Sequence, residues 1–314
     1  MSLVHAPLAC PVRADLRGSV AVLGNLDGVH RGHQALLAAA ARRADREGAP
    51  LGAVTFEPHP RRAFDPDAPP FLLTTLEQKA DLLAAAGCVT VFALPFGPPL
   101  ASLSPEAFVR DVLIGTLGLR GAIVGEDFRF GAKRAGDAAQ LAAFGEEAGL
   151  IVEAVGVTGG AQKWSSTTAR QALREGDPPG AEAVLGRPFA VRGTVIEGRR
   201  LARTMDFPTA NLALGAYVRP AYGVYAVTAR LPDGAQAGGV ANIGVRPTVD
   251  GATERLEVHL FDWSGDLYGA KIEVALRAFL REERPFGGID ALRAQIAADA
   301  QGARAALADL RPAG

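Results

Sequence analysis

At 314 residues the chain is long for one domain, so two are expected, each large enough to bury its own core. A formal net charge of −1 gives no reason to invoke nucleic acid or an anionic membrane through bulk charge, and two distant cysteines make no disulfide framework, which fits a reducing cytosol. No uninterrupted apolar run is long enough to span a bilayer, and the residues through Arg13 lack the charged-then-apolar order of a signal peptide; the expectation is a cytoplasmic protein without nucleic-acid or membrane partners.

In the first half, short β-rich apolar segments alternate with helical patterns. Strands are predicted over 19–24, 51–56, 89–94, 122–125 and 151–155, and helices over 34–46, 76–86, 105–117 and 138–148. Such alternation implies right-handed crossovers and a parallel sheet covered on both faces, with ligands outside the carboxyl ends of the strands. Two short helices follow, over 167–174 and 179–185, and after Gly186 the character changes. Strand-like segments at 189–196, 223–231, 238–243, 256–261 and 272–279, separated by turns rich in glycine and proline, suggest a compact antiparallel barrel. Ile289, Leu292, Ile296, Ala300, Ala303, Leu307 and Leu310 then recur at helical spacing, an apolar stripe that must dock on something. The domains are therefore drawn as 1–185 and 186–314.

Gly28-Val29-His30-Arg31-Gly32-His33 follows the first predicted strand and opens the first predicted helix. Backbone N–H groups at a helix N-terminus attract anions, and His30 and His33, at i and i+3, are expected on one helical face, where a nucleotide could meet both rings. Two blander readings exist. A zinc site would need three or four ligands, and His5, His59, His259, Cys10 and Cys88, the remaining nitrogen and sulfur donors, do not cluster with the pair. An ordinary surface helix start is opposed by Gly24, Gly28 and Gly32, since glycine there costs stability unless the backbone turns sharply or lets a ligand approach.

Further motifs sit where a parallel sheet would put a ligand. Phe56-Glu57-Pro58-His59-Pro60 leaves the second predicted strand, Gly125-Glu126-Asp127-Phe128-Arg129-Phe130-Gly131 the fourth, and Trp164-Ser165-Ser166-Thr167-Thr168-Ala169-Arg170 opens the helix after the fifth; together they can line one cleft. Hydroxyls at a helix N-terminus with an arginine one turn later suit a phosphate chain, and equally an N-cap by Ser166 beside a solvated arginine. Pro58-His59-Pro60 also reads as a rigid turn. In the second half, Phe207-Pro208-Thr209-Ala210-Asn211 precedes the run from Gly239 to Thr248, then Glu257-Val258-His259-Leu260-Phe261-Asp262 and Asp266-Leu267-Tyr268-Gly269.

These second-half stretches resemble the riboflavin kinase family. The first-half motifs resemble the adenylyltransferase module fused to it in the bacterial bifunctional riboflavin kinase/FMN adenylyltransferase, or FAD synthetase, family, and the match runs in order from Gly24 to Arg304. The resemblance implies a Rossmann-like nucleotidyltransferase domain with a parallel sheet, followed by an antiparallel β-barrel riboflavin kinase domain with a terminal helix. It implies two ATP-dependent, Mg²⁺-dependent reactions, riboflavin to FMN in the second domain and FMN to FAD in the first. The alternative is adenylyl transfer alone, with a flavin-holding second domain.

By the same resemblance, His30 and His33 hydrogen-bond the ATP phosphates, and Ser165, Ser166, Thr167 and Arg170 hold the phosphates that leave as pyrophosphate. Gly24, Gly28 and His59 belong to the same nucleotide and flavin site, Asp127 helps position the nucleotide or flavin, and Asp27 stabilises the turn. Glu257 matches the family's catalytic glutamate, Thr209 and Asn211 its Mg²⁺ ligands, and Gly198, Tyr222, Arg246, Arg281 and Phe286 are aligned candidates for ATP or flavin contact. Taken alone, Glu257 is a polar position on an alternating strand and the stretch 208–211 reads as a β-turn. The chain departs from the family at Leu26, usually Phe, at Asp127, often Asn, and at Ala202 and Asp206, commonly glycine. A carboxylate at 206 in a loop over ATP would repel the phosphates.

Overall fold

The computed structural model describes residues 1–6, 8, 10–156, 164–196, 209–248 and 251–309, and divides into two units. The first takes Met1–Pro69 and Leu76–Trp164; the second takes Pro70–Thr75 and Ser165–Gly314.

In the first unit the strands are β1 (Ser2–His5), β2 (Val20–Leu23), β3 (Leu51–Glu57), β4 (Thr90–Pro95), β5 (Gly121–Gly125), β6 (Arg129–Phe130), β7 (Gly136–Asp137) and β8 (Ile151–Val155). All but β6 and β7, which form a small antiparallel hairpin, make a six-stranded parallel sheet in the order β1-β4-β3-β2-β5-β8. The helices are α1 (Arg31–Glu47), α2 (Pro60–Phe64), α3 (Leu76–Ala85), α4 (Pro98–Ala101), α5 (Pro105–Ala107), which runs on as a π-helix over Phe108–Thr116, and α6 (Ala138–Ala148).

Both faces of the sheet are covered, as the near-continuous apolar strands require. Along β2, Val20 and Val22 join a cluster with Leu36, Leu37 and Ala40 of α1 and Leu83 of α3, whereas Ala21 and Leu23 join another with Val109, Val112 and Leu113 of the π-helix and Leu141 of α6. The strand order reverses at β2, which pairs with β3 on one side and β5 on the other. The turn leaving β2 therefore emerges at the topological switch point, where open α/β sheets bind ligands.

In the second unit the strands are β9 (Ala190–Thr194), β10 (Ala210–Ala213), β11 (Gly223–Arg230), β12 (Gln236–Thr248), β13 (Gly251–Leu260) and β14 (Lys271–Glu282). They pair antiparallel in the order β10-β13-β12-β11-β14-β9. A bridge between Ile196 and Asn211, with the Ile196 N–H donating to the Asn211 carbonyl at 2.9 Å, brings the two edges together into a nearly closed barrel. Tyr225, Val227, Ile243, Leu256, Val258, Val274 and Leu276 fill it.

Helices α7 (Ser166–Arg174) and α8 (Pro178–Leu185) add Leu173, Val184 and Leu185 to that same core. So does Leu73 from the strap 70–75, whose Phe71 N–H donates to the Ala216 carbonyl and whose Leu72 carbonyl accepts from Val218. The terminal helix α9 (Ile289–Ala308) docks on the outer face, where Ala303 is buried against Val224, Ala226, Val240 and Phe261. Ile289, expected within its apolar stripe, is exposed instead.

Candidate active sites

The turn after β2 is strained. Leu26 (φ 50°) and Val29 (φ 39°) adopt left-handed backbone along with Gly28 (φ 80°), and both apolar side chains are buried in the core. Left-handed conformations at such residues cost about 1–3 kcal/mol each and persist only where the surroundings over-determine them. Here the Val29 N–H donates to the Leu26 carbonyl (3.1 Å), and the Gln34 side-chain amide donates to the Val29 carbonyl (2.9 Å). The Asn25 carbonyl accepts from Thr55 Oγ1 (2.9 Å) and Lys79 Nζ (2.8 Å), and Lys79 also donates to Thr55 Oγ1 (3.0 Å). Asp27 is buried in the same turn. Gly24 has less steric need to be glycine, since a Cβ there would make only ordinary contact with Leu26.

The two histidines do not share a helical face. His30 lies outside α1 as its N-cap, and its Nδ1 accepts from the His33 N–H at 3.4 Å. In the neutral ring that leaves the hydrogen on Nε2, as a donor. The rings stack, with centroids 3.6 Å apart and planes 23° from parallel. Burial, then the neighbouring His30 and Lys79, hold the His33 pKa well below the ordinary imidazole value. Among the described residues its Nδ1 is buried without a hydrogen-bond partner. The pair thus forms a stacked imidazole surface with His30 buried and His33 half-buried; among the described residues no three histidine, cysteine or carboxylate side chains cluster as metal ligands.

Elsewhere in the first unit, His59 caps α2, its Nδ1 accepting from the Arg61 N–H at 3.1 Å. Asp127 is exposed, in a turn closed by the Phe128 N–H on the Gly125 carbonyl, and its Oδ1 lies 3.0 Å from where a Cβ on Gly125 would be.

In the second unit, α7 is capped by Ser165, not Ser166. Ser165 Oγ accepts from the Thr168 N–H (3.1 Å) and shares a hydrogen bond with Thr168 Oγ1 (2.9 Å), placing Ser166 and Thr167 in the first turn. Arg170 is anchored rather than simply solvated: Nε donates to the Phe71 carbonyl (2.7 Å), and the guanidinium lies over the Phe71 ring.

The barrel carries a polar row across three strands. Asn211 on β10, Glu257 on β13 and Asn242 on β12 are consecutive cross-strand partners, so all three belong to one face of the sheet. Leu256 and Val258 turn the other way, into the core. The stretch read as a turn is therefore partly strand, and Asn211 Nδ2 donates to the Thr209 carbonyl at 3.4 Å. Asn242 Nδ2 donates to Glu283 (2.8 Å).

Tyr222 donates to Glu254, which also pairs with Arg219. Burial would raise the Glu254 pKa, but these partners outweigh it and hold the carboxyl low. Arg281 binds Asp299 of α9 through two hydrogen bonds (2.8 and 2.7 Å), its third nitrogen reaches the Glu282 carbonyl, and Phe286 lies under it. Arg246 stands on β12 opposite Thr253; its side chain, Gly198, Ala202 and Asp206 lie outside the described residues.

Residues 12–168 match the FAD synthetase family and residues 185–307 the riboflavin kinase family. A bifunctional riboflavin kinase/FMN adenylyltransferase of Escherichia coli (strain K12) is 42% identical over 302 residues, covering 96% of each chain. The chain belongs to this bifunctional family. Another member, from Pseudomonas fluorescens, is 44% identical over 94% of each chain. A crystal structure described as a macrolide-efflux protein from Streptococcus pneumoniae superposes with a TM-score of 0.84 at 30% identity, over 96% of this chain and 98% of that one. That likeness carries the fold; among the described residues no helix here is long and apolar enough to cross a membrane.

The chain is accordingly a riboflavin kinase and FMN adenylyltransferase, making FAD from riboflavin. Two residues next to the candidate site residues do not stand out in the sequence. Lys79 looks like one more cation on an amphipathic helix, and only the tertiary fold buries it. Asn242 stands in a quoted motif, but its place beside Glu257 depends on strand register.

Proposed function

We propose that the two reactions divide between the stacked histidines of the first unit and the polar row of the second. In adenylyl transfer the nucleophile is the FMN phosphate, already anionic, which attacks the α-phosphorus of ATP as pyrophosphate leaves. Such a step needs positioning and charge stabilisation more than a base. His30 and His33 supply imidazole donors at the switch point, at the N-terminus of α1. By the family resemblance, the hydroxyls of Ser165, Ser166 and Thr167 and the Arg170 guanidinium are assigned to the departing phosphates. Gly24, Asp27, Gly28, His59 and Asp127 complete the nucleotide and flavin contacts.

In the kinase reaction the nucleophile is the neutral ribityl hydroxyl, and a base is useful. Glu257 accepts its proton as the oxygen attacks the γ-phosphorus and ADP leaves. The observation carrying this assignment is the register Asn211–Glu257–Asn242, which puts the carboxylate between two amides on one barrel face. Thr209, Asn211 and Glu257 form an oxygen-only donor set, the kind Mg²⁺ takes beside nucleotide phosphates. Bound there by Thr209 and Asn211, the ion would neutralise phosphate charge. Gly198, Tyr222, Arg246 and Arg281 are assigned to ATP and flavin binding on this side.

The test is incubation with riboflavin and ATP, with Mg²⁺ or with excess chelator, followed by chromatography of the flavins. FMN and then FAD are expected with Mg²⁺ and neither with chelator. FMN formation at full rate in chelator would remove Thr209 and Asn211 as metal ligands.

A further inference from the structure

Lys79 is a charged residue where burial is costly. It sits on α3, is 3% exposed, and sends its ammonium beneath the β2–α1 turn. Burying an ammonium is unfavourable unless hydrogen bonds compensate, and an apolar side chain of similar size often stabilises a fold as well or better. Simple stabilisation of the first unit is therefore a poor account of a lysine here.

What the ammonium does is specific. It donates to the Asn25 carbonyl at 2.8 Å and to Thr55 Oγ1 at 3.0 Å, while Thr55 donates to the same carbonyl at 2.9 Å. Asn25 immediately precedes Leu26, the first left-handed residue of the turn; Val29 is the last, and His30 comes next. The two donors fix the peptide from which this strained run departs, and the run delivers His30 to the N-cap where its ring stacks on His33. The charged groups facing Lys79 are Asp27 and Glu57, both favouring the ammonium, against burial, which lowers its pKa. The titratable groups facing His33 are His30 and Lys79 itself, which add to burial in opposing a charge on the ring.

We propose that Lys79 is a positioning residue for adenylyl transfer, clamping the Asn25 carbonyl so that the turn holds His30 and His33 stacked. This rests on the phosphate-binding role given above to the two histidines.

Lys79→Met keeps the length of the side chain and removes the charge and both hydrogen bonds. Thr55→Val keeps shape and charge and removes one donor to Asn25. In the full chain, Lys79→Met should lower kcat for FMN adenylylation by roughly tenfold or more with KM for FMN little changed. Its acid limb in the kcat–pH profile should move to higher pH, because the ammonium no longer opposes protonation of His33. Thr55→Val should lower kcat less and leave the acid limb in place. Riboflavin phosphorylation, measured on the same samples, should be unaffected by either change.

Unchanged kcat and acid limb in Lys79→Met would overturn the proposal, and so would equal loss of both activities in folded protein. If Lys79→Met does not fold, Thr55→Val decides: reduced adenylylation with intact phosphorylation supports the clamp, and full adenylylation overturns it. His33→Ala is measured alongside. Should it leave adenylylation intact, the histidine assignment fails and the proposal falls with it; with His33→Ala impaired, parent-like adenylylation by Lys79→Met overturns the clamp alone.

Discussion

Gly32 lies beneath the ring of His30 so closely that a Cβ on it would sit 2.9 Å from His30 Cε1 and 3.0 Å from Nδ1. The missing side chain is what lets the two imidazoles stack across the cap of α1. Gly32→Ala should therefore displace the His30 ring while leaving α1 helical, since alanine is the better helix former. A displacement of this size at a phosphate-handling group costs up to about a hundredfold. FMN-to-FAD conversion should fall tenfold to a hundredfold, and riboflavin phosphorylation should not change. Retention of full adenylylation would show that the stacked arrangement is not needed.

Because the folded-state pKa of His33 is depressed, the folded protein resists a proton that the unfolded chain accepts near the ordinary value of 6.5. Between those two pKa values the unfolded state binds more protons, so stability rises with pH through that window and is undiminished above it. Thermal unfolding at pH 7.5 and 5.5 should show a loss on acidification that is smaller in His33→Asn, where nothing titrates. An equal loss in parent and variant would mean that the ring is protonated as easily in the fold as out of it.

The architecture was legible where apolar runs were long enough to state their own period. The interior strands of the parallel sheet and most of the barrel strands fall within a few residues of their expected places. Elements that owe their existence to pairing did not show. The edge strand β1 is four residues with an exposed first and last position, ordered by parallel pairing to β4. Strand β10 carries an asparagine in a stretch that also reads as a turn, and pairing with β13 decides it. The segment 105–117 has helical spacing, yet most of it winds as a π-helix, a difference in hydrogen-bond register that side-chain pattern does not encode.

The sites follow the same rule. The histidine pair and the hydroxyl-rich helix start stood out by residue type, whereas Glu257 was marked only by the family resemblance. Their geometry was not legible. That His30 caps instead of joining α1, and that Ser165 caps instead of Ser166, turns on one residue of helix boundary. Lys79 was invisible because nothing local distinguishes a buried lysine from a solvated one.

Glu257→Gln preserves size and hydrogen bonding and removes the ability to take a proton. If the carboxylate is the base for the ribityl hydroxyl, riboflavin phosphorylation should fall by about 10²–10⁴-fold, the usual worth of general base catalysis. Adenylylation of supplied FMN should be unaffected. Asn242→Ala, which removes an amide beside Glu257 without touching the base, should cost less. A rate for Glu257→Gln near the parent's would return Glu257 to an ordinary polar position on an alternating strand.

Ser165 separates a structural duty from a ligand-binding one. Its hydroxyl oxygen already accepts from the Thr168 N–H, so Ser165→Ala loses the cap, at about 1 kcal/mol, whether or not phosphate binds nearby. Ser165→Asp is more discriminating. Aspartate caps a helix about as well as serine, and its charge suits the positive end of the helix dipole, so stability should hold. The same carboxylate would repel a phosphate brought to the first turn of α7. The expected result is an unchanged melting temperature with KM for ATP in adenylylation raised roughly tenfold, equivalent to about 1.4 kcal/mol of lost binding. KM for ATP in riboflavin phosphorylation should stay as it is. If both KM values stay put, the hydroxyls of α7 serve the helix alone; if both rise together, they do not belong to the adenylyl site in particular.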